Sequence, residues 1–419
     1  MEKTKLKLGF IPLTDCAPLV IAQEKGLFDK YQLDVELVKE VSWANIRDRL
    51  AAGTLDGAQM LATMPIAASL GIGGISTPML TAMTMDLNGN AITISDALYE
   101  RINKLAPDCL QQRPISAAGL KIVIEENKKA GGERLRFAMV FPTSTHNYEL
   151  RYWLGSAGID PDSDIELIVI PPPQMVENLA SGNIDGFCVG EPWNSLAVNR
   201  GLGHTLITKY EIWNNSPEKV FGVTSEWAEQ HPDTHKAVLK ALLEATRWLD
   251  ESENNRVEAA EILSREEYIN TDVDVIKMSM TGTFHYSQNE TPVPMDDFNV
   301  FYRYSANFPW LSHAIWFMAQ MIRWGHIRQP LEIEKLVGAI YRPDIFRAVM
   351  QELDEPYPST DYKNEGMHTE QWTLEEASQS LLMGADAFFD NKPFKPDQLF
   401  DYLDALAIKH PAFDLAALK

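Results

Sequence analysis

Cysteine is scarce in this chain. Three residues in 419, Cys16, Cys109 and Cys188, are odd in number and widely spaced, which argues against a disulfide framework and suits free thiols in a reducing compartment. Positive charge is short as well. Lys and Arg number 37 against 59 Asp and Glu, for a net charge of −22, which argues against nucleic acid as a direct partner. An anionic ligand would need local cations set against a negative whole. No apolar stretch is long enough to span a membrane. The opening residues run into a strand by about Lys5, leaving no room for a basic region, an apolar run and a cleavage site, so the expected location is cytoplasmic. Catalytic signatures are missing too: there is no phosphate loop, no H-E-x-x-H, no C-x-x-C and no G-x-S-x-G. His231 and His235 stand at i, i+4, but the Pro-Asp-Thr between them reads as a solvated helix start and not a metal pair. The reading is a binding protein, not an enzyme, with no cofactor and no metal.

What the sequence does contain is a repeat. Leu50-Ala-Ala-Gly53-Thr-Leu-Asp56-Gly57-Ala58 is echoed by Leu179-Ala-Ser-Gly182-Asn-Ile-Asp185-Gly186-Phe187, and Asp34-Val-Glu-Leu-Val38 by Asp164-Ile-Glu-Leu-Ile168, at offsets of 129 and 130 residues. Two words in one order and nearly one register imply a duplicated α/β unit. The first copy reads as strand Lys5–Pro12, helix Ala17–Tyr31 broken at Gly26, strand Val35–Val41, helix Ala44–Ala52 and strand Ala58–Met64, with Pro78–Met85 as a further strand. The second reads as Arg136–Phe141, His146–Ala157, Ile165–Ile170, Gln174–Ala180 and Gly186–Val189, with His204–Thr208 as a return strand. Alternation of this kind predicts mostly parallel sheets. Beyond Thr224 longer helices follow, among them Thr234–Ser252. The aromatic run Phe301–Trp324 reads as core, and Asp354–Gln371 as a loop before a last helix.

The chain is expected to cross between lobes near Asn88–Thr93 and to return near Trp213–Val223. That division gives 1–91 as lobe one, 92–220 as an inserted lobe two, 221–340 as the rest of lobe one, and 341–419 as a helical extension. Two crossovers make a hinge, and the cleft between lobes is the expected ligand site. Polar groups at strand ends face that cleft: Trp43, Asn88-Gly89-Asn90, Thr143-Ser-Thr145-His146 at a helix start, and Cys188-Val-Gly190-Glu191-Pro192-Trp193.

Longer motifs carry a resemblance. Gly9–Leu19, Ser42-Trp43 with Arg47-Asp48, Thr145-His146 with Arg151-Tyr152-Trp153-Leu154, Pro172–Val176, Phe187–Trp193, Pro217-Glu218-Lys219, Ile322–Gly325 and Ala387–Asp390 stand in order along the chain. With them the chain resembles the nitrate- and bicarbonate-binding solute receptors of ABC importers over almost its whole length. The resemblance implies a two-lobed, periplasmic-binding-protein-like (type II) α/β fold with a helical C-terminal extension. It also implies ligand contacts from Trp43, His146, the backbone of Gly190 and Lys219, with Asn90 where nitrate receptors carry a Gln one methylene longer. Nitrate accepts hydrogen bonds only, and these groups donate. Cys16 stands where such receptors carry Ala.

Because a leader is absent and the cysteines suit a reducing compartment, the chain is most similar to the cytosolic branch of that family. That branch implies a nitrate/nitrite sensor whose partner is an RNA-binding antitermination regulator, released when the ion binds. The alternative is a nitrate or bicarbonate receptor of an importer with its leader removed. An enzyme on the same fold, such as a pyrimidine synthase of thiamin biosynthesis, would need a catalytic cluster the sequence does not show.

Overall fold

In the computed structural model, which describes residues 2–74 and 76–415, the repeat becomes two sheets joined by two short crossovers. Strands β1 (Lys5–Phe10), β2 (Asp34–Lys39), β3 (Gly57–Leu61) and β4 (Met79–Asn88) belong to the first lobe. The second lobe holds β5 (Asn90–Ser95), β6 (Arg136–Met139), β7 (Glu166–Val169), β8 (Gly186–Gly190) and β9 (Gly203–Thr208). The chain then returns along β10 (Pro217–Thr224). A small pair, β11 (Thr283–Phe284) and β12 (Val293–Pro294), precedes β13 (Asn299–Val300), and β14 (Trp372–Leu374) pairs with β15 (Leu381–Met383). Sheet orders are β13-β4-β10-β3-β1-β2 and β7-β6-β8-β5-β9.

The duplicated words do the same work in each lobe. β1 pairs in parallel with β2 and β3, and β6 in parallel with β7 and β8. Asp56 Oδ2 accepts the Lys7 N–H at 2.9 Å, and Asp185 Oδ2 accepts the Arg136 N–H at 2.7 Å. Each aspartate therefore anchors the turn after a helix to the start of the neighbouring strand. Gly53 and Gly182, at φ +67° and +70°, supply the left-handed residue that ends each helix. In β1 the lysines alternate outward and the leucines inward, so Leu6 and Leu8 are buried while Lys5 and Lys7 stay exposed.

The sheets are mixed, not mostly parallel as the alternation predicts. β10 runs antiparallel to β3 and β4, and β5 antiparallel to β8 and β9. Both strands enter their sheet from the other lobe, so they run against the strands of the repeat. The crossovers fall at Gly89 and between Trp213 and Ser216, so the strand run of the second lobe is 90–208, within narrower limits than 92–220. Lys219, which the expected boundary assigns to lobe two, lies on β10 in the first sheet. Asn88, Gly89 and Asn215 all have positive φ (63°, 83° and 52°), a backbone state Asn and Gly tolerate best. Asn88 N donates to Ser216 O at 2.9 Å and Ser216 N to Asn88 Oδ1 at 3.3 Å, so the two crossovers are tied side by side.

The expected helical extension is only partly helical. Helices Pro343–Glu352 and Leu399–Asp404 flank a stretch of turns, isolated bridges and the β14–β15 pair. Prolines and turn-forming residues through that stretch break the helical period. The segment nonetheless holds both lobes. Tyr341 Oη donates to Ala62 O at 2.6 Å and Arg342 N to Thr81 O at 2.8 Å on the first. Tyr152 Oη donates to Asp390 Oδ1 at 2.9 Å, and His410 Nε2 lies 2.9 Å from Asp160 Oδ2, on the second. Helix Leu311–Arg323 is buried along its whole length, and Trp310, Trp316, Phe317 and Trp324 pack as core. His235, expected to be solvated, is buried against the rings of Trp227 and Phe221. Among the described residues no helix is long and apolar enough to cross a membrane.

Candidate functional site

The site is built on the strands that cross the hinge. β10 opens with Pro217-Glu218-Lys219, and all three residues are buried. Lys219 Nζ lies 2.7 Å from Asp15 Oδ2 and 2.8 Å from Glu218 Oε1, and 5.5 Å from the centre of the Trp43 ring. Those two carboxylates hold the ammonium charged, above its ordinary range, in spite of burial. Glu218 is in turn the hub of the site. Its Oε2 accepts from Lys209 Nζ at 2.6 Å and Asn90 Nδ2 at 2.9 Å, and its Oε1 from Thr145 Oγ1 at 2.5 Å. Two lysines beside it keep its carboxyl far below the usual carboxylate range.

Two helices aim donors at this hub from opposite lobes. Ser42 caps helix Trp43–Ala51 by accepting the Asn45 N–H at 3.2 Å, which sets Trp43 at the first helical position. Ser144 caps helix Thr145–Ser156 by accepting the Asn147 N–H at 3.0 Å, which sets His146 in the first turn. Both side chains are buried, and neither Trp43 Nε1 nor His146 Nε2 has a hydrogen-bond partner. Glu218 Oε1 stands 3.5 Å from His146 Nε2. Burial pushes the His146 pKa down to about 3, so the imidazole is neutral. Its Nδ1 lies 3.3 Å from Thr145 Oγ1, whose hydrogen goes to Glu218, so the ring is held between Thr145 and Glu218. Other buried indoles, Trp193 and Trp213, also have free N–H groups. Trp43 differs in having an ammonium over its ring.

Gly190 ends β8 opposite Asn90. Glu191 N donates to Gly89 O at 3.1 Å, so Asn90 and Gly190 form a non-hydrogen-bonded pair and the Gly190 N–H points away from β5. A Cβ on Gly190 would lie 3.3 Å from Asp15 Oδ2. Any side chain here would fill the space between β8 and Asp15. The structure thus brings Trp43, His146, Gly190 and Lys219 around one point, with Asn90 beside them. Asn90 is the exception in role: its amide N–H is committed to Glu218, while its Oδ1 is unpartnered.

Sequence reasoning missed the carboxylates. Asp15 and Glu218 lie inside the quoted motifs but were not picked as site residues, and Lys209 and Glu149, a buried ion pair, were not picked at all. Asp15 is buried, accepts from Gln59 Nε2, and has its pKa raised to about 6 by desolvation. The available signal was charge set in mostly apolar surroundings, Asp15 in Leu13-Thr-Asp-Cys-Ala and the adjacent Glu218-Lys219 in Pro-Glu-Lys-Val-Phe, since such residues are seldom buried unless paired. Cys16 and Cys188 are buried and burial raises both thiols, which makes them inert packing groups. One exposed group with metal-ligand spacing, Asp160, Asp162 and His410, is already engaged, Asp162 with Arg151 and Asp160 with His410.

Comparison with known proteins fits this geometry. The profile of the NMT1-like family matches residues 1–264. The chain is 43% identical over 366 residues to the nitrate import ATP-binding protein NrtC of Synechocystis sp., covering 87% of this chain and 52% of that protein. It therefore spans about half the length of that relative. It is 34% identical over 417 residues to the nitrate/nitrite binding protein NrtA of Nostoc sp., covering 98% of this chain and 87% of the relative. The crystal structure of the periplasmic nitrate-binding protein NrtA from Synechocystis superposes with a TM-score of 0.85 at 33% identity, covering 97% of this chain and 99% of that one. The two-lobed binding-protein fold is thereby shared along nearly the whole chain, and the chain belongs to the NMT1-like family.

Proposed function

We propose that this chain is a solute receptor for nitrate or nitrite, acting as a component of an import system. The observation that carries the reading is the buried ammonium of Lys219, gathered in one cleft with the buried, unpartnered Trp43 Nε1–H of the first lobe and the His146 ring of the second. An orphaned buried donor is costly, and a ligand that accepts hydrogen bonds relieves that cost. A planar monoanion with acceptors only fits such a donor, a backbone N–H at Gly190 and a formal positive charge. Nitrate stands in the names of the relatives above, and a bicarbonate transport ATP-binding protein of Synechocystis sp. is also 38% identical over 420 residues, so the names alone leave both anions in view.

Affinity follows from ligand size. Four heavy atoms at about 1.5 kcal/mol each give roughly 6 kcal/mol, a Kd of some tens of micromolar. The test is a calorimetric titration of the protein with nitrate, with chloride as control. One ion bound per chain, with chloride failing to compete, is the expected result; no heat with nitrate or nitrite would refute the reading.

The expectation of an antitermination regulator as partner gives way here to import components, since the relatives above are named as binding or import proteins. A second reading, a receptor module working beside an ATP-binding subunit, rests on the 43% match to about half of one such protein. Its test is co-purification with the ATP-binding component of the same genome, with and without nitrate.

A further inference from the structure

Carboxylates outnumber ammonium groups in and around this cleft. Asp15, Asp86, Glu149, Glu191 and Glu218 are buried, against Lys209 and Lys219. Bringing in an acceptor-only anion adds one more negative charge at low dielectric, which is strongly unfavourable unless a positive charge accompanies it. The cheapest positive charge is a proton, and the geometry selects where it goes.

Glu218 is held ionised by Lys209, Lys219, Asn90 and Thr145. Glu149 is paired with Lys209, and burial raises it, like Glu191, to about 7, so both already carry a proton much of the time before an anion arrives. Asp86 spends its oxygens on the Lys219 N–H at 2.9 Å and Asn299 Nδ2 at 3.0 Å, away from the cleft, and its surroundings hold it well above the usual carboxylate range. Glu191 turns its Oε2 back to the Ser195 N–H at 3.0 Å. Asp15 is different. Its Oδ1 is anchored by Gln59, while its Oδ2 has Lys219 Nζ at 2.7 Å as its ion pair and lies against Gly190. That oxygen holds the ammonium an incoming anion needs, on the face of β8 at Gly190. Around it stand Lys219 and Glu218 from β10, Asp86 from β4, Gln59 from β3, the Glu191 carbonyl bonded to Thr14 N–H at 2.8 Å, neutral His146 from the second lobe, and Trp43 and Cys16.

Resting on the receptor reading above, we infer that Asp15 takes up one proton from solvent when an acceptor-only anion enters the cleft. As a carboxylate it competes with the ligand for Lys219. As a carboxylic acid it gives up that ion pair and presents an O–H donor to the ligand, so one group sets both the ligand's access and its specificity. The balance is simple: a buffer acid loses a proton, the Asp15 carboxylate gains it, and no bond of the anion changes. The free-state pKa of about 6 leaves the group ionised at neutral pH and within easy reach of protonation.

The experiment is titration calorimetry of the full chain with nitrate near pH 8, in two buffers of different ionisation enthalpy, beside Asp15→Asn. Close to one proton taken up per ion is expected in the wild type, with affinity falling toward tenfold per pH unit above the free-state pKa. Asp15→Asn should bind without proton uptake, with affinity independent of pH and tighter than the wild type near pH 8. Nitrate binding to the wild type with no buffer-dependent heat overturns the inference and leaves the receptor reading intact. Uptake that persists in a folded Asp15→Asn assigns the proton elsewhere and overturns it too. The wild-type proton count needs no variant, so the test stands even if Asp15→Asn fails to fold. If neither protein binds nitrate, the receptor reading falls and this inference falls with it.

Discussion

The two halves of the repeat share a frame and differ in what they place at the cleft. Both start from parallel strands pinned by an aspartate, and both receive an antiparallel strand from the opposite lobe. At the mouth of that incoming strand the first lobe has Glu218-Lys219 and the second has Asn90. One lobe thus supplies fixed charge, the other mostly neutral donors in His146 and the Gly190 backbone. Duplication conserves the scaffold, and ligand chemistry diverges at the strand mouths, where a side chain can change without disturbing the ladder. It also explains how closure can report on a ligand. Donors divided between lobes converge only when the lobes meet, which gives the ligand different affinities for open and closed forms.

The charged mouth should be the harder one to lose. Lys219→Ala leaves Asp15 and Glu218 without their shared cation, and loss of one partner from a buried ion pair costs about 3–5 kcal/mol of stability. Asn90→Ala removes one hydrogen bond to the Glu218 carboxylate, about 2 kcal/mol. For anion affinity the expected losses are about 2–4 kcal/mol for Lys219→Ala and less than half that for Asn90→Ala. Chemical denaturation and nitrate calorimetry check both. Equal losses from the two variants would erase the distinction between the lobes.

Two neighbouring buried carboxyls carry the same contrast into pH. Glu218, in the first lobe, is surrounded by cations and depressed. Glu191, in the second, has no cation beside it, and burial raises its pKa to about 7. A raised acid contributes stability fully below its unfolded value and loses that contribution as pH rises through the folded one. Glu191 therefore favours the fold at acid pH and opposes it above about 7. Glu191→Gln should match the wild type near pH 4, gain on it as pH rises from 4.5 to about 7, and lead by roughly 3 kcal/mol above that. Melting curves across that range are the check, and a constant offset between the proteins would refute the assignment.

Legibility in the sequence followed the same division. The repeat revealed the frame because Asp56 and Asp185 repeat a local turn whose geometry depends on neighbouring residues. The direction of β5 and β10 was hidden, since nothing local tells a strand which lobe its predecessor came from. For the same reason the boundary near residue 220 put Lys219 in the wrong lobe. Trp43, His146 and Gly190 were legible as polar groups at strand ends, Lys219 entered only through resemblance to a family, and their convergence is tertiary. Asp15, alone, and Glu218, beside Lys219, were in plain view as charges among apolar neighbours, yet the Asp15–Lys219 pairing spans 204 residues of the chain (219 − 15).

The shared frame can be tested on its own. Asp56 accepts the Lys7 N–H and also Trp227 Nε1 at 3.0 Å and Lys3 Nζ at 2.6 Å, whereas Asp185 Oδ2 accepts the Arg136 N–H. Asp56→Ala should cost about 2–3 kcal/mol and Asp185→Ala about 1–2 kcal/mol, since more partners are left unmet in the first case. Denaturant midpoints at constant slope distinguish them. The reverse order would mean that the first lobe's additional bonds contribute nothing.

The smallest expected difference lies in the two serines that aim the donors. Ser42 is half-buried at the start of the Trp43 helix, and Ser144 is fully buried at the start of the His146 helix. Loss of an N-cap side chain costs about 0.5–2 kcal/mol, because a backbone N–H of the first turn loses its acceptor. At Ser42 water can replace the hydroxyl, so Ser42→Ala belongs near the low end of that range. At Ser144 no water reaches the freed Asn147 N–H, so Ser144→Ala belongs near the high end. Each cap also fixes the first helical turn that carries a donor. Nitrate affinity should therefore fall in both variants, by less than about tenfold, and further for Ser144. Denaturation and calorimetry on the same two proteins decide it. If Ser144→Ala loses stability but keeps full affinity, His146 is positioned by its packing and not by its cap, and the orientation of the second lobe's donor has to be sought in Thr145 and its bond to Glu218.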